Sequence, residues 1–189
     1  MQRTPSIVLI LTALWLCVCS SEASAQSGNV EVRSSGSSLV DGVYVASTRI
    51  QFQLSDRIEE ALANGIAMQV KLDYEIDRRR RFLPDSEVAA VRVQSLLRYN
   101  KVSERYTVKN ENTGQQTSYS TIFAALNALG RIDSLPLVDA SLLAEGKRHR
   151  GRVRAQVEIA DYPTSLRYLL FWRDDWKMVS DWYSWSLDQ

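Results

Sequence analysis

Two runs of basic residues carry the strongest chemical signal. Arg78, Arg79, Arg80 and Arg81 stand in succession, and Lys147, Arg148, Arg150, Arg152 and Arg154 crowd a second stretch. Guanidinium forks grip phosphate or carboxylate oxygens in pairs. An end of the molecule that joined both runs would suit phospholipid head groups, lipopolysaccharide phosphates or an acidic partner protein. The competing use of these arginines is structural: Asp73, Glu75, Asp77 and Glu158 are available to neutralise them and keep sheet edges soluble. Arg78, Arg79, Arg80, Arg81, Arg152 and Arg154 are therefore the candidate contacts on the cationic side.

Aromatic residues supply the second candidate surface. Four of the five tryptophans, Trp172, Trp176, Trp182 and Trp185, fall close to the C-terminus, with Tyr168, Phe171 and Tyr183 among them. Such rings stack on sugars or anchor a partner. They equally close a core with a last strand, which is the first reading here, and Trp182 and Trp185 are the rings nominated for contact.

Enzyme chemistry finds little to stand on. Asp73, Glu75 and Asp77 share one strand face, and adjacent members are about 7 Å apart. That separation suits a glycosidase acid and base but is too wide for one cation without further ligands, and no calcium-loop pattern accompanies it. His149 is the only histidine and lies inside Lys147-Arg148-His149-Arg150. Neighbouring cations disfavour its protonation, no carboxylate is adjacent to hold it as a catalytic base, and a solvated loop is the expected setting. One histidine without a thiolate cannot build a zinc site. The glycines form no phosphate-cradling or dinucleotide motif. No cofactor is expected, and a carboxylate hydrolase is the weakest of the functional readings.

The elements that must position these residues are mostly strands. Apolar and polar side chains alternate through Ile50–Leu54, Met68–Asp77 and Val153–Ile159, so each segment has one face for a core and one for water. This suits antiparallel sheets. Shorter strands are expected at Val30–Arg33 and Val43–Ala46. Val91–Tyr99 also alternates, although its Leu96-Leu97 pair leaves a helix open. Tyr106–Val108 and Thr117–Tyr119 form a hairpin across the turn-rich Asn110–Gly114. Ser55 or Asp56 caps a helix over Arg57–Ala63 that stops at Asn64-Gly65. Ser120 caps a second, with the stripe Ile122, Ala125, Leu126 and Leu129 ending at Gly130. Pro163 opens either a third short helix or a final strand. The fold predicted is mostly β, an antiparallel two-sheet β-sandwich with two or three short helices; the alternative is α+β, an antiparallel sheet with helices on one face.

Composition bounds the rest. Met1-Gln2-Arg3, the apolar run Ile7–Cys19 and the A-x-A sequence Ala23-Ser24-Ala25 have the order of a secretory signal peptide. The apolar run is shorter than the ~20 residues a spanning helix needs. Residues 1–25 are thus expected to be removed, leaving 26–189 as a single globular domain in the periplasm. Both cysteines, Cys17 and Cys19, lie in the leader, so no disulfide is expected in the domain. A net charge of +1 provides no global field to attract nucleic acid or membrane, and any electrostatic binding must come from local patches.

Several of these features occur together in order: the exported start, Ala61-Leu62-Ala63-Asn64-Gly65-Ile66, the long strand ending in Arg78–Arg81, Leu129-Gly130-Arg131-Ile132, and the ending Ser180-Asp181-Trp182-Tyr183-Ser184-Trp185-Ser186-Leu187. The set resembles a proteobacterial family of exported proteins, domain of unknown function 4390, across nearly the whole chain after the leader. In this copy Ser184 and Ser186 stand where the family pattern has a bulkier or charged residue and a proline. The resemblance implies a periplasmic protein without catalytic residues, and its gene neighbourhood, beside a membrane sensor kinase, implies an accessory role in envelope sensing. The function expected is a non-enzymatic binding or accessory module of the cell envelope. Its partner would be an envelope or inner-membrane protein. The alternative is a binder of anionic lipid or glycan through the arginine clusters and C-terminal aromatics. Neither nucleic-acid binding nor integral membrane insertion is expected.

Overall fold

The structure, a computed structural model, describes residues 28–160 and 176–187. The leader, the segment after Pro163 and Trp172 lie outside the described residues. In chain order the elements are β1 (Asn29–Val40), β2 (Val43–Gln53), α1 (Asp56–Ala63), β3 (Met68–Arg78), β4 (Ser86–Asn100), β5 (Arg105–Asn110), β6 (Gln116–Tyr119), α2 (Ile122–Gly130), β7 (Arg131–Asp139), a 3-10 turn (Ala140–Leu142), β8 (His149–Ile159), β9 (Lys177–Val179) and β10 (Tyr183–Leu187).

Two antiparallel sheets result, and the protein is mostly β as predicted. One is three-stranded, β1-β2-β7. The other is seven-stranded, β10-β8-β3-β4-β5-β6, with β9 joining β10 along the free edge of β8. β1 lies across β8 and β10, which brings the sheets face to face. The alternation read in the sequence decides what lies between them. Met68, Val70, Leu72, Tyr74 and Ile76 of β3 and Val153, Ala155, Val157 and Ile159 of β8 all point inward and are buried. Each fully buried aliphatic side chain is worth ~1.5–3 kcal/mol, so these two central strands hold much of the core.

The strands around them run longer than expected. β1 and β2 form one ladder from Asn29↔Gln53 to Val40↔Val43, carrying the Ser-rich segment 34–38 that looks like loop in the sequence. Asp41 and Gly42 both have positive φ (49° and 80°), the two-residue primed turn whose twist matches the flanking strands. β4 is continuous through Leu96-Leu97, so the helical alternative there is corrected: Leu97 is buried while Leu96 pairs with Gln69 across the ladder. β7 has no expectation behind it, because Pro136 and Ser134 (φ 53°) break its pattern. It pairs only with β2, and such an edge tolerates proline.

α1 is capped by Ser55, whose Oγ accepts from Ile58 N, and stops before Gly65 at φ 84°. α2 is capped by Thr121 rather than Ser120, through Ala124 N donating to Thr121 Oγ1 at 3.2 Å. The stripe survives the one-residue shift, with Ala125 and Leu129 buried. At its end Gly130 passes so close to β2 that a Cβ would sit 2.1 Å from the Ile50 carbonyl oxygen.

Candidate functional site

The two basic runs meet, because β3 and β8 are direct neighbours in antiparallel register. Arg78 pairs with His149, Asp77 with Arg150, Glu75 with Arg152 and Asp73 with Arg154. This register divides the arginines into two populations with different work.

The first population lies on the outer face of the seven-stranded sheet and is consumed there. Arg152 Nε donates to Glu75 Oε2 at 2.7 Å and lies 3.2 Å from Asp77 Oδ2. Arg150 reaches Asp77 and, at 2.9 Å, Asp85. Asp73 accepts from Arg92 of β4 and from Gln156 at 2.8 Å, with Arg154 at 3.7 Å, and Lys71 pairs with Glu158. Asp73 and Asp77 are thereby covered rather than solvated, at 6% and 3% exposure. Trp182, just before β10, completes the cover: the Arg152 and Arg154 guanidinium carbons stand 4.7 and 4.6 Å from its ring centre, within cation–π range. The three carboxylates nominated for acid and base chemistry are therefore members of a charge ladder.

Trp185 lies on the other side of the same sheet. Its ring packs on Gly151 and its Nε1 donates to Ser37 Oγ of β1 at 2.9 Å, so it belongs to the contact between the sheets. Trp182 and Trp185 are separated by the sheet and do not form one aromatic surface.

The second population is exposed at the end of the sandwich. Arg79 N donates to the Arg148 carbonyl at 2.9 Å, tying the loop after β3 to the loop before β8. Arg79, Arg80, Arg81, Lys147 and Arg148 all project there into solvent. None of these five side chains takes part in an ion pair among the described residues. Apolar side chains share this end. Phe82 and Leu83 follow the arginines at 88% and 64% exposure, and the Arg81 guanidinium sits 5.5 Å from the centre of the Phe82 ring. Leu142 is exposed beside the β1–β2 turn, where Ala140 N donates to the Gly42 carbonyl.

Between the two loops and the end of β10 is a cleft of about 400 Å³ lined by Arg79, Lys147, Arg148, His149, Ser186 and Leu187, with Gly146. His149 corrects the sequence reading. It is not a solvated loop residue but the first inward residue of β8, 2% exposed, opposite Leu187 of β10. The arginines between the inward positions hid the start of the strand, since Arg150 and Arg152 look like loop but occupy its polar face. Neither ring nitrogen of His149 has a hydrogen-bond partner; the Lys147 backbone is near enough to bias its charge without forming a bond of ordinary geometry. Burial pushes its pKa below the usual histidine range against the opposing pull of the Lys147 backbone, and the Arg78 charge adds to the lowering.

Among the described residues no cluster of three metal-ligating side chains occurs and no helix is long and apolar enough to cross a membrane. The ladder, the basic end and the C-terminal Trp-Tyr-Ser-Trp sequence all lie within residues 27–186, the span matched by a family model described as domain of unknown function (DUF4390). The chain belongs to that family. No match exists among curated proteins or among solved structures. For this DUF4390 member the resemblance read from the sequence holds at the level of the family, and the site stands on its own geometry.

Proposed function

We propose that this DUF4390 protein is an exported, non-enzymatic binding module of the cell envelope that docks through its basic end onto an anionic membrane surface. The observation that carries the reading is the division of the arginines. The ladder arginines Arg150, Arg152 and Arg154 each stand against a carboxylate, although Arg150 Nε and Arg154 Nε make no hydrogen bond, whereas Arg79, Arg80, Arg81, Lys147 and Arg148 form a solvent-facing group with Phe82 and Leu83 beside it. Basic side chains near an anionic leaflet contribute about 1 kcal/mol each, and exposed Phe and Leu add insertion energy at the interface. A non-enzymatic role is supported by the engagement of Asp73, Glu75 and Asp77 with cations and by a lone imidazole whose cleft has no carboxylate in its lining among the described residues. Export is supported by the leader-like first 25 residues.

The test is co-sedimentation with vesicles of phosphatidylcholine alone or mixed with phosphatidylglycerol. Binding should need the anionic lipid, weaken with salt, and fall by about two orders of magnitude or more in Arg80→Glu/Arg81→Glu. Equal affinity for neutral vesicles, or an unchanged double variant, rejects the proposal.

A further inference from the structure

The cleft beside the basic end is more than part of a charged surface. We infer that it is a discrete site for a small tetrahedral oxyanion, a phosphate or sulfate group, bound by Arg79, Lys147 and Arg148 with His149 as a proton-dependent donor at its base. This deepens the docking reading by giving the same end of the molecule a defined ligand chemistry, and in that sense it rests on it.

Three observations converge. Among the described residues the lining side chains that carry charge are all cationic, and the hydrogen bond from Arg79 N to the Arg148 carbonyl holds the two loops that bear them together. The volume of about 400 Å³ is that of a small-molecule site and has room for a phosphate group together with its ester substituent. Finally, His149 is 2% exposed and both ring nitrogens lack partners. Leaving a buried polar group without a partner is costly, so a fold that retains one here has a donor position still to be satisfied.

The surroundings of the imidazole set the direction of its pH response. β3 brings Arg78 directly opposite, the loops bring Arg79, Lys147 and Arg148, and β10 brings Ser186 and Leu187, which do not titrate. With cations around it and no carboxylate lining the cleft among the described residues, the neutral form of the ring is favoured. An anion in the cleft would offset Arg78, stabilise the imidazolium and gain a second charge-assisted donor. By linkage, anion binding raises the histidine pKa and acid tightens anion binding.

The sole histidine makes this directly observable. In a proton–carbon correlation spectrum of the protein, the His149 resonance should shift saturably with inorganic sulfate, which keeps its charge across this pH range. Its titration midpoint should rise, and sulfate should bind about tenfold tighter for each unit of that rise. Inorganic phosphate should compete. Lys147→Ala/Arg148→Ala, which alters only exposed side chains, should abolish the shift with the circular dichroism spectrum preserved. A resonance that does not move, or that moves equally with sodium chloride of matched ionic strength, overturns the site. Such a result is independent of vesicle docking, whose test residues Arg80 and Arg81 do not line the cleft. Vesicles carrying phosphatidic acid, a phosphomonoester, distinguish the sources of the anion: displacement of sulfate by them but not by phosphatidylglycerol assigns the site to a lipid head group, and displacement by free phosphate alone assigns it to a soluble ligand.

Discussion

Replacing Gly151 by alanine tests the contact that joins the two sheets at the C-terminal strand. A Cβ at this position would stand 2.3 Å from Trp185 Cε2 and Cζ2 and 2.8 Å from its Nε1. Ordinary van der Waals contact begins near 3.4–4 Å between carbons, so the indole must retreat by roughly 1 Å or more. It has little freedom to do so, because Trp185 Nε1 donates to Ser37 Oγ of β1 at 2.9 Å on its far side. Overpacking of this kind costs ~1–3 kcal/mol, and loss of the hydrogen bond adds ~1 kcal/mol, giving ~2–4 kcal/mol together. For a domain of this size each kcal/mol moves Tm by roughly 2–4 °C, so Gly151→Ala should melt ~5–15 °C lower by circular dichroism, with a changed near-ultraviolet tryptophan signal. Trp185→Leu removes the obstructing ring, and the double variant should lose clearly less than the sum of the single losses. A Tm for Gly151→Ala within about 1 °C of the parent, against the several degrees expected, or strict additivity with Trp185→Leu, would refute the assignment of Trp185 to the core.

The ladder, the imidazole and the helix end each support a further expectation. Asp77→Ala leaves the half-covered Arg150 and Arg152 facing each other with one fewer carboxylate; the arginines can turn to water, so a loss of ~1–3 kcal/mol in urea unfolding is expected, below the full cost of breaking a buried pair, and no loss would show that the ladder is ornamental. His149 has a folded-state pKa below its unfolded value. The unfolded chain therefore takes up the proton first, and stability that is complete above about pH 6.5 declines as pH falls through the folded-state pKa. The decline begins near pH 6.5, above the ordinary carboxylate range. His149→Leu should flatten it, and an unchanged pH profile would contradict the burial of the ring. Gly130→Ala drives a methyl to 2.1 Å from the Ile50 carbonyl, where neither backbone can yield cheaply. Soluble yield and Tm should fall more than for Gly151→Ala, and a well-folded variant would show that α2 does not cross β2 so closely.

The class of fold and the central strands are written into the chain itself. Period-two alternation in Met68–Asp77 and Val153–Ile159 is a local property, and burial of one face follows from it wherever the strand is placed. The caps of α1 and α2 are legible to within a residue for the same reason, since a hydroxyl bonds a backbone N–H three positions on. What depends on register and neighbours is settled only when the sheets assemble. β7 is invisible in the sequence because its proline and its positive-φ serine are tolerable only at an edge, and being an edge is a property of the sheet. The start of β8 is hidden by arginines whose outward placement is set by β3. Above all, whether an arginine binds an anion or is already spent depends on which carboxylate stands opposite, and chain spacing does not state that. The β3–β8 register neutralises Arg150, Arg152 and Arg154 and leaves Arg79–Arg81, Lys147 and Arg148 facing solvent at one end, with a buried histidine beneath the two loops that carry them.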